Sequence, residues 1–210
     1  MKGVIIDYNS GNVGSLFNAL SFLGVKCKLS CQKKDIQNCD FIILPGVGTF
    51  GSAVNILKKK KIYNLIIKQV NIFKKPVLGI CLGMQLLFTT SEEITQTTGF
   101  NFIKGNIVKN KKISHVSNKD TINIGWSKIK QNKKNKIFEN IKSKDFFYFL
   151  HSYQLNNQQK NKSILAVSQD KKIPAVVIKS NIVGLQFHPE KSGKPGLQIL
   201  KNFLQVVKNT

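Results

Sequence analysis

Arginine is absent from this 210-residue chain: all 33 basic residues are lysine, set against 10 acidic ones for a formal charge of +23. That absence removes the reading such a charge first invites. Recognition of phosphates and base edges leans on the forked guanidinium, whose paired contacts an ammonium cannot reproduce. The lysines are also scattered along the whole length with asparagine and isoleucine, as AT-rich coding would leave them, with local runs at Lys58 to Lys61 and around Lys109 to Lys112. No specific nucleic-acid partner is expected. The charge leaves a weak pull on polyanions and favours a phosphorylated or acidic partner.

Other absences narrow the class further. No apolar run approaches the roughly eighteen residues a membrane helix needs, so no membrane association is expected. Only Gly3 to Ile6 separate Lys2 from Asp7, too short an apolar stretch for a signal peptide, and a cytoplasmic protein is expected. Cysteines are few, at 27, 31, 39 and 81. The first three match no common zinc spacing and have no histidine nearby; they are expected to be small buried residues in a reducing compartment. The length fits one domain over residues 1–210, with a core that needs no disulfides, and nothing marks a linker or repeat.

What is present alternates. Val4-Ile5-Ile6 reads as a strand, Leu16, Phe17, Leu20 and Leu23 recur at helical spacing, and Val25 to Leu29 and Phe41 to Leu44 read as further strands. A long helical stretch follows, with Val54, Leu57, Ile62, Leu65 and Ile66 inward; then come a strand at Pro76 to Ile80 and a helix at Leu82 to Phe88. This predicts an α/β fold, a doubly wound, mostly parallel sheet with helices on both faces. From about residue 100 short β-like runs dominate: Ile103 to Val108, Ile122 to Ile129, Phe146 to Leu150, Ile164 to Val167 and Ala175 to Lys179. They are expected to extend the sheet and to add hairpins, before a last helix from about Pro195 to Val207.

Gly79-Ile80-Cys81-Leu82-Gly83 has the form strand, Gly-x-nucleophile-x-Gly, helix. A sharp turn there strains the nucleophile, and the helix start beside it favours thiolate. A buried cysteine in a glycine turn fits the same letters. A nucleophile needs a base, and the base needs an orienting group. Of the three histidines, His115 lies in a polar stretch and reads as a surface residue, whereas His188 closes the apolar run Val183 to Phe187 and is followed by Pro189-Glu190. One ring nitrogen of His188 can serve a thiol while the other binds that carboxylate. Pro45-Gly46-Val47-Gly48 ends a predicted strand at the same sheet edge, where glycines let backbone N–H groups face a developing oxyanion.

These segments, with Asp7-Tyr8 and Gly11-Asn12, Thr49-Phe50-Gly51, Met84-Gln85, Tyr148 to Tyr153, and Gly184 to Ser192, resemble the class I (triad) glutamine amidotransferase family nearly end to end. Within it they are most similar to the glutaminase subunits of imidazole glycerol phosphate synthase. The resemblance implies Cys81 as nucleophile, His188 and Glu190 as its activating pair, and an oxyanion hole at Val47, Gly48 and Leu82. It implies that Gln85 and the main chain of His151, Ser152 and Tyr153 hold L-glutamine, and that neither metal nor organic cofactor is needed. It further implies ammonia delivery to a (β/α)8-barrel cyclase subunit in a heterodimer, with Asn12, Trp126 and Lys191 at the interface. Trp126 also fits core packing, and Lys191 also fits one more exposed lysine. Two departures stand out: Ile122-Asn123-Ile124 replaces a Pro-His ahead of Gly125-Trp126, and Lys104 stands where proline is common. Both read as remote from the triad and as bearing on partner contacts. A paralogue that supplies ammonia for sugar amidation remains an alternative, as do a non-catalytic binding subunit that kept the fold and a basic nucleic-acid-binding protein.

Overall fold

The computed structural model describes residues 1–8, 13–110, 122–156 and 161–208. Its first half runs β1 (Lys2–Ile6), α1 (Gly14–Phe22), β2 (Lys26–Ser30), α2 (Lys33–Asn38), β3 (Phe41–Leu44), α3 (Phe50–Lys59), α4 (Tyr63–Asn71), β4 (Val77–Ile80) and α5 (Leu82–Leu86). Strands then dominate: β5 (Thr90–Ser91), β6 (Thr97–Thr98), β7 (Asn106–Lys109), β8 (Asn123–Gln131), β9 (Phe146–His151), β10 (Tyr153–Leu155), β11 (Ile164–Ser168), β12 (Pro174–Lys179) and β13 (Ile182–Leu185). Helix α6 (Gly193–Lys208) follows.

Nine strands form one sheet in the order β2-β1-β3-β4-β13-β12-β11-β8-β9. Pairing is parallel from β2 to β13 and antiparallel beyond it. Strands β1, β3, β4 and β13 are apolar on both faces and divide their residues between two cores with period two, whereas the edge strand β2 exposes Lys26, Lys28 and Leu29. Ile42 and Leu44 pack with Phe50, Val54 and Leu57 of α3 and Ile66 and Val70 of α4, while Phe41 and Ile43 pack with Leu16 and Leu20 of α1 and Leu200 and Phe203 of α6. Helices therefore cover both faces, as the alternation predicts. The predicted hairpins divide in two ways: some extend the large sheet, and the rest form a separate four-stranded sheet, β10-β7-β5-β6.

Several boundaries differ from the sequence expectation. The long helical stretch is two helices, broken at Lys60 to Ile62, where Lys61 takes the left-handed conformation at φ 56°. Helix α2 was not expected, because a single buried residue, Ile36, anchors it and leaves no period to read. The run Ile103 to Val108 is strand only from Asn106, and the helix after Cys81 stops at Leu86. Of the residues at helical spacing in α1, Leu16 and Leu20 are buried and Phe17 is exposed.

Two features of this topology place the site. The carboxyl ends of β3, β4 and β13 lie side by side, with Leu44 opposite Gly79 and Ile80 opposite Leu185. Strand β9 belongs to the large sheet and β10 to the small one, so Ser152 is where the chain crosses between them.

Candidate active site

Cys81 sits between β4 and α5 at φ 50°, ψ −105°, a conformation that strains any residue with a Cβ. The surroundings over-determine it. Its N–H donates to the Leu185 carbonyl at 2.7 Å. A Cβ on Gly83 would lie 1.9 Å from the Leu44 carbonyl oxygen, and one on Gly79 would lie 2.5 Å from the Gly83 oxygen. The two glycines are thus required by close approach of backbone to backbone. The thiol donates to the Leu150 carbonyl at 3.5 Å and receives the Gln186 side-chain amide at 3.7 Å.

His188 begins the short 3-10 turn Pro189–Lys191, with proline at the first position, where its missing N–H costs nothing. The turn is fastened to β9. His188 N–H donates to the Tyr148 carbonyl at 2.8 Å, and Ser192 Oγ donates to the His188 carbonyl at 2.6 Å while accepting from Tyr148 N–H at 3.0 Å. His188 Nδ1 meets Glu190 Oε1 at 2.8 Å. A carboxylate accepts, so Nδ1 carries a hydrogen and Nε2 is the nitrogen left to exchange a proton with Cys81. That Nε2 is buried without a partner of hydrogen-bonding geometry, and Cys81 is close enough to act on it. Burial alone would depress the imidazole; Cys81 and Glu190 outweigh it and push its pKa up to about 9.

A pocket of about 310 Å³ joins these groups. Val47, Gly48, Cys81, Leu82, Gln85, His151, Ser152, Tyr153 and His188 all line it, and Glu190 stands behind His188. The loop after β3 lies directly on the nucleophile: a Cβ on Gly46 would come within 2.9 Å of Cys81 Cβ, and Gly48 has φ 110°. Gln85 has committed its Nε2 to the Tyr153 carbonyl at 2.8 Å and to Gln186 Oε1 at 3.3 Å. What Gln85 retains for a ligand is its oxygen.

The structure adds residues that the sequence reading did not select. Tyr8 is buried and its hydroxyl donates to the Pro45 carbonyl, at the root of the glycine loop. Its pKa stands well above the ordinary value, through burial first and the Cys81 charge second. Glu93 brings a carboxylate to the pocket and accepts from the Phe50 N–H at 2.6 Å. Its signal was visible, since Glu92-Glu93 is the one adjacent acidic pair in a lysine-rich chain. Ile122 and Asn123 are not remote from the triad, as expected of them: Ile122 lines the pocket, and Asn123 Nδ2 lies 2.9 Å from His151 Nε2. They are far from Cys81 in sequence, and only the β8–β9 pairing brings them there. Lys104 is elsewhere, its carbonyl accepting from Asn161 Nδ2 at 2.9 Å.

Of the expected interface residues, Trp126 is 55 % exposed, which removes the core-packing alternative. It meets the Tyr148 ring edge-on at 5.6 Å, and Lys191 Nζ lies 5.8 Å from the centre of that ring. Asn12 and His115 fall outside the described residues. All four cysteines are free; Cys39 is buried, but Cys27 and Cys31 are only partly so, against expectation. Among the described residues no helix is long and apolar enough to cross a membrane.

A strained cysteine on a strand–helix elbow thus stands beside a histidine–carboxylate pair at the ends of neighbouring parallel strands, and the family model for class-I glutamine amidotransferases matches this chain over residues 4–207. The chain belongs to this family. The chain is 43 % identical over 208 residues to the imidazole glycerol phosphate synthase subunit HisH of Caldanaerobacter subterraneus subsp. tengcongensis, covering 97 % of this chain and 98 % of that one. It is 40 % identical over 205 residues to the HisH subunit of Methanocaldococcus jannaschii, with 97 % and 98 % covered. Among solved structures it resembles a glutamine amidotransferase at TM-score 0.76 and 17 % identity, with 98 % of each chain covered. It also resembles PurLQS from Thermotoga maritima at TM-score 0.73 and 19 % identity, with 97 % of each covered. At such identities the two structures speak to the fold alone.

Proposed function

We propose that this chain is a glutaminase subunit that hydrolyses glutamine and passes the ammonia to a (β/α)8-barrel cyclase in histidine biosynthesis. The observation that carries the reading is the convergence of three neighbouring strand ends, β3, β4 and β13, on one pocket that holds the glycine loop, Cys81 and His188. The full-length similarity to HisH subunits supports the choice of acceptor pathway over sugar amidation.

The chemistry follows from the geometry. His188, oriented by Glu190, takes the thiol proton, and its raised pKa favours the imidazolium that results. Gln186 steadies the sulfur. The thiolate attacks the side-chain amide carbon, and the oxygen gains negative charge beside the backbone N–H groups of Val47, Gly48 and Leu82. His188 returns its proton to the departing nitrogen, ammonia leaves, and a γ-glutamyl thioester remains on Cys81. Water, deprotonated by His188, then releases glutamate. Glu93 and the Gln85 oxygen offer acceptors for the α-ammonium, while the Ser152 turn offers main-chain groups for the α-carboxylate.

For the partner, β8 and β9 present an outward face with Ile124 62 % exposed beside Trp126. An apolar, aromatic patch with Lys128 over the Phe146 ring and Lys191 over the Tyr148 ring suits a protein with an apolar centre and an acidic rim. Purified chain and cyclase, mixed with glutamine and the ribotide substrate, are expected to release glutamate, whereas Cys81→Ser releases none. Undiminished turnover by Cys81→Ser would overturn the assignment of the nucleophile.

A further inference from the structure

Asn123 and Lys171 take no part in the chemistry above, yet both belong to a hydrogen-bonded chain that ends on the turn expected to hold substrate. The Lys171 ammonium donates to Asn123 Oδ1 at 2.7 Å, Asn123 Nδ2 lies 2.9 Å from His151 Nε2, and His151 Nδ1 lies 2.9 Å from the Tyr153 carbonyl oxygen. Asn123 and His151 are both buried. Only one direction of donation satisfies this chain. An ammonium has no lone pair, so Asn123 must turn its oxygen towards Lys171 and its amide hydrogens towards the ring. A carbonyl has no hydrogen, so His151 must carry its own at Nδ1 and accept at Nε2. Both ends therefore dictate the same neutral tautomer.

We propose that Lys171, acting through Asn123 and His151, is a positioning residue that fixes the Tyr153 carbonyl and the Ser152 turn for glutamine. The proposal rests on reading this pocket as the glutamine site. The Tyr153 carbonyl is a junction, because it also accepts from Gln85 Nε2 at 2.8 Å. With the other tautomer, the Nδ1 lone pair would face the carbonyl lone pairs, pushing the turn away and loosening Gln85. The opposite side of the turn is already tied down, since Asn110 Nδ2 donates to the His151 carbonyl at 2.9 Å. The device also keeps a second cation out of the site. Burial, opposed by the bond to Tyr153 and reinforced by His188 and Lys171, depresses the His151 pKa to about 4. His188 can then become imidazolium beside a neutral neighbour, while the lysine charge stays one residue removed.

The test uses the full complex with the cyclase. Lys171→Met is expected to raise KM for glutamine about fivefold, the loss of one hydrogen bond of ordinary net strength. Its kcat should stay within about twofold, because the relay touches no reacting atom. Lys171→Arg, a cation that can only donate, should restore KM. Nitrogen-15 spectra of labelled histidine should show His151 protonated at Nδ1 in the wild type and a mixture of tautomers in Lys171→Met. A wild-type His151 protonated at Nε2, or a KM change in Lys171→Met without a change of tautomer, would overturn the relay. Failure of the wild-type complex to consume glutamine would instead refute the reading of the pocket, and the spectra would still judge the relay by itself.

Discussion

Tyr8 shows how a residue outside the reacting groups can bear on the rate. Its hydroxyl holds the Pro45 carbonyl, and the residues that follow, Val47 and Gly48, carry the N–H groups proposed as oxyanion donors. Oxyanion donors act where charge develops, so a small displacement is felt in the transition state rather than in substrate binding. Tyr8→Phe should lower kcat about tenfold with little change in KM, less than removal of a whole oxyanion donor; steady-state glutaminase kinetics of the complex would show it, and an unchanged kcat would dismiss the role. The two buried histidines make a second, opposed pair of expectations. His188, raised to about 9 from an ordinary 6.5, binds its proton more tightly folded than unfolded. The stability it contributes is complete below pH 6.5 and is lost as pH rises through about 9. His151, depressed to about 4, rejects in the folded state a proton that the unfolded chain accepts, so stability falls as pH drops from 6.5 towards 4. In melting curves across pH, Glu190→Gln should flatten the alkaline loss and His151→Gln the acid one. The meeting of Cys81, His188 and Glu190 was legible in the sequence because strand–turn–helix spacing and a two-residue His-x-Glu separation are local signals. Tyr8 and the pair Asn123–Lys171 were not, since their proximity is made by strand pairing between distant segments, while Glu93 showed only as half of an adjacent acidic pair with nothing to place it at the pocket.

At the scale of elements, the strands were the most legible, because burial on both faces makes them continuous apolar runs such as Phe41 to Leu44. Helix ends were not. Four consecutive lysines across the α3–α4 break carry no glycine stop signal, yet Lys61 takes the left-handed position of a helix cap closed by the bond from Ile62 N–H to the Leu57 carbonyl at 3.1 Å. The two-residue strands β5 and β6 are too short to show any period. Glycine spacing was read as a property of the turn, but the structure gives it a second cause in the approach of α5 to β3. Gly83→Ala places a methyl carbon 1.9 Å from a backbone oxygen that cannot move without parting β3 from the helix. It should cost about 3 kcal/mol or more and suppress activity. Gly24 gives the contrast: at φ 74° an alanine there meets nothing within 4 Å, so only backbone strain remains, about 1 kcal/mol. Urea unfolding midpoints of the two variants would separate packing from strain. Equal losses would show that the elbow is held by conformation alone.

For the whole molecule the question is how the proposed partner, seated on the exposed face of β8 and β9, would reach the thiol of Cys81. Trp126 and Lys191 both lean on Tyr148, and the Tyr148 backbone is bonded to His188 on one side and to Ser192 on the other. A partner seated on the patch therefore presses on the strand that fastens the base. This route predicts little glutaminase activity from the isolated chain and a rise when the cyclase and its ligand are bound. Trp126→Ala separates docking from chemistry. An exposed aromatic in an apolar patch is the usual anchor of such an interface, so the variant should bind the cyclase about tenfold more weakly. At saturating cyclase its kcat should return close to the wild-type value, because no reacting group has changed. The same titration at rising salt should weaken binding further, since a chain of charge +23 that seeks an acidic rim gains much of its encounter rate from long-range attraction. Binding that is insensitive to both Trp126→Ala and salt would place the cyclase on another face, and the Tyr148 strand would then have no part in switching on the thiol.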